Sequence, residues 1–253
     1  MRDSFLMDAE EAAIEPGVEM SEREKAALDR FRSERTIKRR ILTPVVVITM
    51  KILMQRLNSM STLNRAAFDE ARSRGRALLT YSNHVSLFDD PWLTATFAGW
   101  SYDRIRWVAA DALNFWSHPL AARFFSAGKG VPIVRGAGLN QMGMRFLEQK
   151  LAEGEWIHIF PEGGRSRNPM ELRTPLKPGM AHMIRNTRPL VQAFHHRGMD
   201  NVRPIGGRFP KIGQKISLKF GEVVDSDEGL ADGSPAEITA WAERKLLDLQ
   251  ESW

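Results

Sequence analysis

From Arg76 onward the chain alternates short apolar runs with segments in which apolar residues recur every three or four positions, the pattern of strands joined by crossover helices. The runs predict strands at Ala77–Ser82, Ile105–Ala109, Val131–Val134, Trp156–Phe160, Leu190–Phe194 and Ile216–Phe220. Helices are predicted over Pro91–Ala98, Ala112–Phe125, Leu139–Ala152 and Pro235–Leu249. In Leu139–Ala152 the apolar Leu139, Met142, Phe146, Leu147 and Leu151 share one face, which marks that face as buried. The fold class implied is α/β, a mostly parallel sheet flanked by helices, with functional loops leaving the strand ends.

Upstream the pattern changes. Ile41 to Leu57 is apolar but carries Lys51 and Arg56, and its uninterrupted core from Pro44 to Met50 falls far short of the ~20 residues a spanning helix needs. Between residues 36 and 76, nine Lys or Arg face only Asp69 and Glu70, so this segment is more basic than the whole chain, whose net charge is +5. Apolar side chains set among cations suit an amphipathic helix lying at a membrane surface. A core-facing helix with a solvated basic face would show the same pattern.

The first twenty residues are acidic, the opposite of a targeting leader, and read as a flexible tail; Ser21–Arg40 reads as a charged helix. The division expected is a charged, flexible segment over 1–35, an interfacial membrane-binding helix over 36–60 and a catalytic domain over 61–253.

Composition narrows the chemistry. The absence of cysteine excludes disulfides, thiolate metal sites and thiol nucleophiles. An isoelectric point near 9.7 suits an anionic membrane, nucleic acid or an acidic substrate. No aromatic–basic platform accompanies the charge, so no nucleic-acid partner is expected. His118, His158, His182, His195 and His196 lack metal-ligand spacing, and no metal is expected; His158 alternates within a strand and reads as core.

Three segments remain that can carry a reaction. Ser82-Asn83-His84-Val85-Ser86-Leu87-Phe88-Asp89-Asp90 follows a strand and precedes Pro91, which places His84 in a loop. A carboxylate five positions on can return to the imidazole, fix its tautomer and stabilise the cation formed when it takes a proton. The same spacing also fits a histidine beside a helix cap. Phe160-Pro161-Glu162-Gly163-Gly164-Arg165-Ser166 offers glycines for close backbone approach and a guanidinium suited to phosphate. Gly130-Val131-Pro132-Ile133-Val134-Arg135-Gly136 ends a strand on an arginine between glycines. Glu162 beside a phosphate would repel it, so it is expected to accept from a glycerol hydroxyl or backbone, or to hold an arginine.

Together and in this order the three segments resemble the blocks of the glycerolipid acyltransferase superfamily, and within it the tafazzin-like transacylases that remodel cardiolipin. The resemblance extends through Phe124–Gly136, Gly154–Gly163, His196-Arg197-Gly198-Met199-Asp200 and Gly213–Ile216, most of residues 40 to 224. Gly164-Arg165-Ser166 looks more like the lysophosphatidic acid enzymes, and Gln192-Ala193 stands where the superfamily usually shows a proline.

The resemblance implies His84 as general base, Asp89 as its orienting partner, Asn83 as shaping their loop, and Arg135, Glu162, Gly163 and Arg165, grouped with Asn83, as substrate-binding residues. It implies transfer of an acyl chain to a lysophospholipid hydroxyl from a phospholipid, or from acyl-CoA or acyl-carrier protein in a 1-acylglycerol-3-phosphate acyltransferase. No cofactor is implied. The expected partners are a phospholipid membrane and lipid substrates, with room for a homo-oligomer. The expected location is monotopic, on the cytoplasmic face of a bacterial inner membrane.

Overall fold

The structure, a computed structural model, describes residues 20–33, 36–90 and 102–253. Helix α1 (Glu22–Ser33) has Glu22 and Glu24 in its first turn and Arg30 and Arg32 in its last, the charge order that complements a helix dipole. Although it lies inside the span expected to be flexible, it buries Phe31 edge-on against Trp116 and Phe146. Helix α2 (Thr36–Lys51) runs into one π-helical turn, Ile52–Arg56. Its inner positions Val46, Val47, Met50 and Met54 are buried, and Thr43 Oγ1 donates to Ala127 O at 2.7 Å. The opposite stripe, Ile41, Val45, Ile48 and Ile52, is exposed. No helix among the described residues is long and apolar enough to cross a membrane.

There follow β1 (Ser59–Leu63), α3 (Arg65–Ser73), β2 (Leu78–Ser82), β3 (Trp107–Asp111), α4 (Ala112–Trp116), α5 (Pro119–Ala127) and β4 (Gly130–Ile133). The rest comprises α6 (Met142–Ala152), β5 (Trp156–Ile159), α7 (Gly179–Thr187), β6 (Leu190–Arg197), α8 (Met199–Val202), β7 (Lys215–Asp225) and α9 (Pro235–Glu251). The strands form one sheet in the order β1-β7-β6-β2-β5-β3-β4. Every pairing is parallel except β6 with β7, so β2, β3, β4, β5 and β6 point the same way and their C-terminal loops share one edge.

The pleat divides the core in two. Leu79, Tyr81, Ile157 and Val191 join one cluster with Phe31, Trp116 and Phe146, while the intervening Leu78, Trp156 and Leu190 join another with Phe68, Phe194 and Phe220. Each large apolar side chain buried in these clusters contributes about 1.5–3 kcal/mol.

All six expected strands are present within a few residues of their predicted limits. Strand β1 was not expected: its Ser-Met-Ser-Thr-Leu sequence is too polar to stand out, and it forms by pairing with β7 at the sheet edge. The helix expected over Ala112–Phe125 is two helices. Pro119 cannot donate a backbone hydrogen bond inside a helix, so it starts a new one, capped by His118 Nδ1 accepting from Leu120 N. The helix expected over Pro91–Ala98 lies outside the described residues.

Candidate active site

Strand β2 is central, between β5 and β6, and its C-terminal loop carries His84. His84 Nδ1 lies 2.8 Å from Asp89 Oδ2, and the same oxygen accepts from Val85 N at 2.7 Å and Ser86 N at 2.8 Å. The chain thus wraps a five-residue turn around one buried carboxylate. Burial opposes ionisation of Asp89, but His196, His84 and the Ser86 amide outweigh it and hold the group below the ordinary carboxylate range. An ionised Asp89 can only accept, so Nδ1 donates and Nε2 carries the lone pair of the ring. Phe160 stacks on the imidazole, ring centroids 4.1 Å apart, and fixes its plane.

Two buried histidines support this loop. His196 Nε2 meets Asn83 O at 3.0 Å and stands 3.8 Å from Asp89 Oδ2. His158 bridges Thr80 Oγ1 and Ser82 Oγ and packs edge-on against Phe160. Desolvation lowers the pKa of both.

Asn83 and Glu162 are both engaged by backbone groups. Asn83 Nδ2 donates to His196 O and its Oδ1 accepts from His196 N, both at 3.0 Å, so it pins the His84 loop to β6. Glu162 Oε1 accepts from His84 N at 2.6 Å and Oε2 from Arg173 N at 2.8 Å. Burial raises the pKa of Glu162, and those two amides counter the shift. The carboxylate therefore ties the β2 loop to the β5 loop, the backbone option among those weighed for it.

The β5 loop brings cations to the site. Ser166 N donates to His84 O at 2.7 Å, and Gly163 turns the chain at φ +68°, a conformation that favours glycine. A methyl group on Gly164 would lie 3.0 Å from Arg173 Nη1 and 4.0 Å from Arg135 Nη2, and one on Gly163 would lie 3.1 Å from Lys177 Cγ. Arg135, Arg173 and Lys177 thus converge on the two glycines, and all three are exposed. Arg135 is aimed by Asp111 at the end of β3, Nε to Oδ2 2.6 Å. Its loop is held by Gln141, which accepts from Val134 N and donates to Val134 O. Arg165, in the same loop, is half-buried.

Arg173, Lys177 and Asp111 were not singled out from the sequence, while Phe160 and His196 stood within the segments that carry the resemblance without a role of their own. The only local sign was the turn-rich cationic run Arg173-Thr-Pro-Leu-Lys177-Pro-Gly. Among the described residues no cluster of His, Asp or Glu could hold a metal ion. The arrangement can accept a proton at His84 Nε2 beside a surface that attracts phosphate.

Comparison with known proteins agrees with this geometry. The chain is 31% identical over 211 residues to tafazzin of Drosophila melanogaster, covering 80% of this chain and 55% of that protein. It is 32% identical over 169 residues to an N-acylphosphatidylethanolamine synthase of Arabidopsis thaliana (62% and 59%), and 31% over 170 residues to a taffazin of Dictyostelium discoideum (63% and 59%). The chain therefore spans between half and two thirds of the length of these curated relatives. Its fold matches the 1-acyl-sn-glycerophosphate acyltransferase of Thermotoga maritima with a TM-score of 0.63 at 19% identity, over 89% of this chain and 86% of that one. Residues 45–197, more than half of the chain and including every loop described above, match the family Acyltransferase, and the chain belongs to that family as a tafazzin-like member.

Proposed function

We propose that the chain moves a fatty acyl group onto the hydroxyl of a lysophospholipid, with His84 as general base and a second phospholipid as donor. The observation that carries this reading is the hydrogen bond from His84 Nδ1 to the buried Asp89, which leaves Nε2 free beside a loop ringed by Arg135, Arg173 and Lys177. Nε2 takes the proton of the acceptor hydroxyl as its oxygen bonds to the donor carbonyl carbon. The tetrahedral intermediate then expels the lysophospholipid alkoxide of the donor, which recovers the proton from Nε2. Asp89 stabilises the transient imidazolium, and the cations hold the lipid phosphate so that hydroxyl and carbonyl meet in line.

An ester-to-ester exchange is nearly thermoneutral, so one base serves both directions, consistent with remodelling of a lipid such as cardiolipin. A thioester donor is the second reading, favoured by Gly164-Arg165-Ser166. Helix α2, with its exposed apolar stripe and flanking cations, would hold the enzyme on one leaflet, on the inner face of a bacterial membrane in this reading. The test supplies purified protein with an acyl-labelled phospholipid and a lysophospholipid, without CoA. Label in the new diacyl product is expected. No transfer until acyl-CoA is added would replace the transacylase by the thioester-dependent enzyme.

A further inference from the structure

A second apolar surface stands apart from α2. Phe209 is 78% exposed and Ile212 62%, and with the exposed Ile205 they lie on the segment between α8 and β7. This segment is a built structure. Arg203 donates to Gly207 O from Nε at 3.3 Å and Nη2 at 3.1 Å, Gly207 N donates to Pro204 O at 2.9 Å, and Lys211 N donates to Val202 O at 2.7 Å. The fold thus spends hydrogen bonds on holding an aromatic side chain out in solvent.

Both ends of the segment are tied to functional elements. Ser86 Oγ, in the His84 turn, donates to Arg203 O at 2.9 Å. At the other end Gly213 N donates to Leu57 O at 2.7 Å, and Gln214 N to Asn58 Oδ1 at 2.8 Å, just after the π turn that ends α2. The exposed Leu57 and Ile212 therefore flank one hydrogen bond, which ties the end of the α2 region to the segment. Charge follows the same course: residues 202–221 carry Arg203, Arg208, Lys211, Lys215 and Lys219 and no acidic residue.

We propose that segment 203–214 is a second membrane-contact element, in which Phe209 and Ile212 enter the acyl boundary of an anionic phospholipid bilayer while Arg208, Lys211 and Lys215 meet its headgroups. The inference rests on the reading that α2 lies on the bilayer, and it adds orientation: two contacts fix how the molecule sits, whereas one helix leaves it free to roll. Between this segment and the His84 turn runs a groove of about 430 Å³ whose lining includes Val85, Ser166, Arg167, Asp200, Ile205 and Lys211. Docking through both elements keeps that groove against the lipid surface from which the substrates come.

The chain has no cysteine, so single cysteines placed at Phe209, Val45 and Glu228 can each carry an environment-sensitive fluorophore. With phosphatidylglycerol/phosphatidylcholine vesicles, the labels on Phe209→Cys and Val45→Cys should brighten, shift to the blue and be quenched by lipid-borne quenchers, while that on Glu228→Cys stays silent. A response at Val45 with silence at Phe209 would overturn the second contact and leave α2 standing. Silence at both would overturn both contacts. A concentration-dependent change at Phe209 without vesicles would reassign the segment to contact between copies of the chain and likewise overturn the proposal. The Phe209→Ser/Ile212→Ser double variant should bind the same vesicles about tenfold more weakly, since two large apolar side chains leave the acyl boundary, with its unfolding transition unchanged. Unchanged vesicle binding in that variant would count against the proposal as well.

Discussion

At the scale of single residues the site separates groups that react from groups that hold. His84 offers Nε2 to solvent while Asp89 is spent on Nδ1 and two amides, so removing either affects the proton transfer by a different route. His84→Ala should lower kcat by about 10²–10⁴-fold, and Asp89→Asn should do comparable harm by losing the negative charge that stabilises the imidazolium. Circular dichroism of His84→Ala should match the parent. Retention of more than a tenth of the activity by that variant would remove His84 from the base role. The cations behave otherwise. Arg135→Ala, Arg165→Ala and Arg173→Ala should raise the KM for phosphate-bearing acceptors more than they lower kcat, because a guanidinium on phosphate acts mainly in binding. Steady-state kinetics with lysolipids differing only in headgroup charge would detect this, and wild-type KM in all three would leave the phosphate site unassigned.

At the scale of elements the loops after β2 and β5 act as one unit, because Glu162 of one accepts from His84 N of the other and Ser166 N returns the bond to His84 O. Glu162→Gln leaves one carbonyl oxygen for two backbone amides and turns an NH₂ group toward an N–H. A loss of about 1–3 kcal/mol is expected in chemical denaturation, with activity lost along with the set of the His84 loop. Stability equal to the parent would show that the carboxylate does not couple the loops. This coupling explains what could be read beforehand. His84, Asp89 and the β5 loop were legible because each motif is local and follows an apolar strand. Arg173 and Lys177 were not, because they join the glycines only after the chain has returned, nine residues beyond Gly164 and fourteen beyond Gly163. The place of His196 beside Asp89 was hidden for the same reason: it depends on β6 lying beside β2. β1 has no apolar alternation of its own, and the break between α4 and α5 was overridden by an apolar periodicity that ran through Pro119.

At the scale of the whole molecule the same packing that positions the base makes the fold sensitive to acid. Desolvation holds His158 and His196 below their ordinary pKa and pushes His195 down to about 3. Each has a folded pKa below its unfolded value near 6.5, so the unfolded chain binds the extra protons. The stability tied to them is complete above pH 6.5 and is lost as the pH falls toward the folded values, at about 1.4 kcal/mol per pH unit for each histidine. Asp90 and Glu162, raised by burial, act with the opposite sign near and above their ordinary range, and two carboxyls offset only part of what three histidines lose. Urea denaturation should therefore give an unfolding free energy that falls between pH 6.5 and 5. His195 contacts Trp253 rather than the His84 turn, so it can be changed without touching the site. His195→Gln should flatten the slope by one proton, about 1.4 kcal/mol per pH unit, while the other two histidines continue to act. A free energy independent of pH over this window in the parent would mean that burial does not depress these imidazoles, and a slope unchanged in His195→Gln would remove His195 from the set.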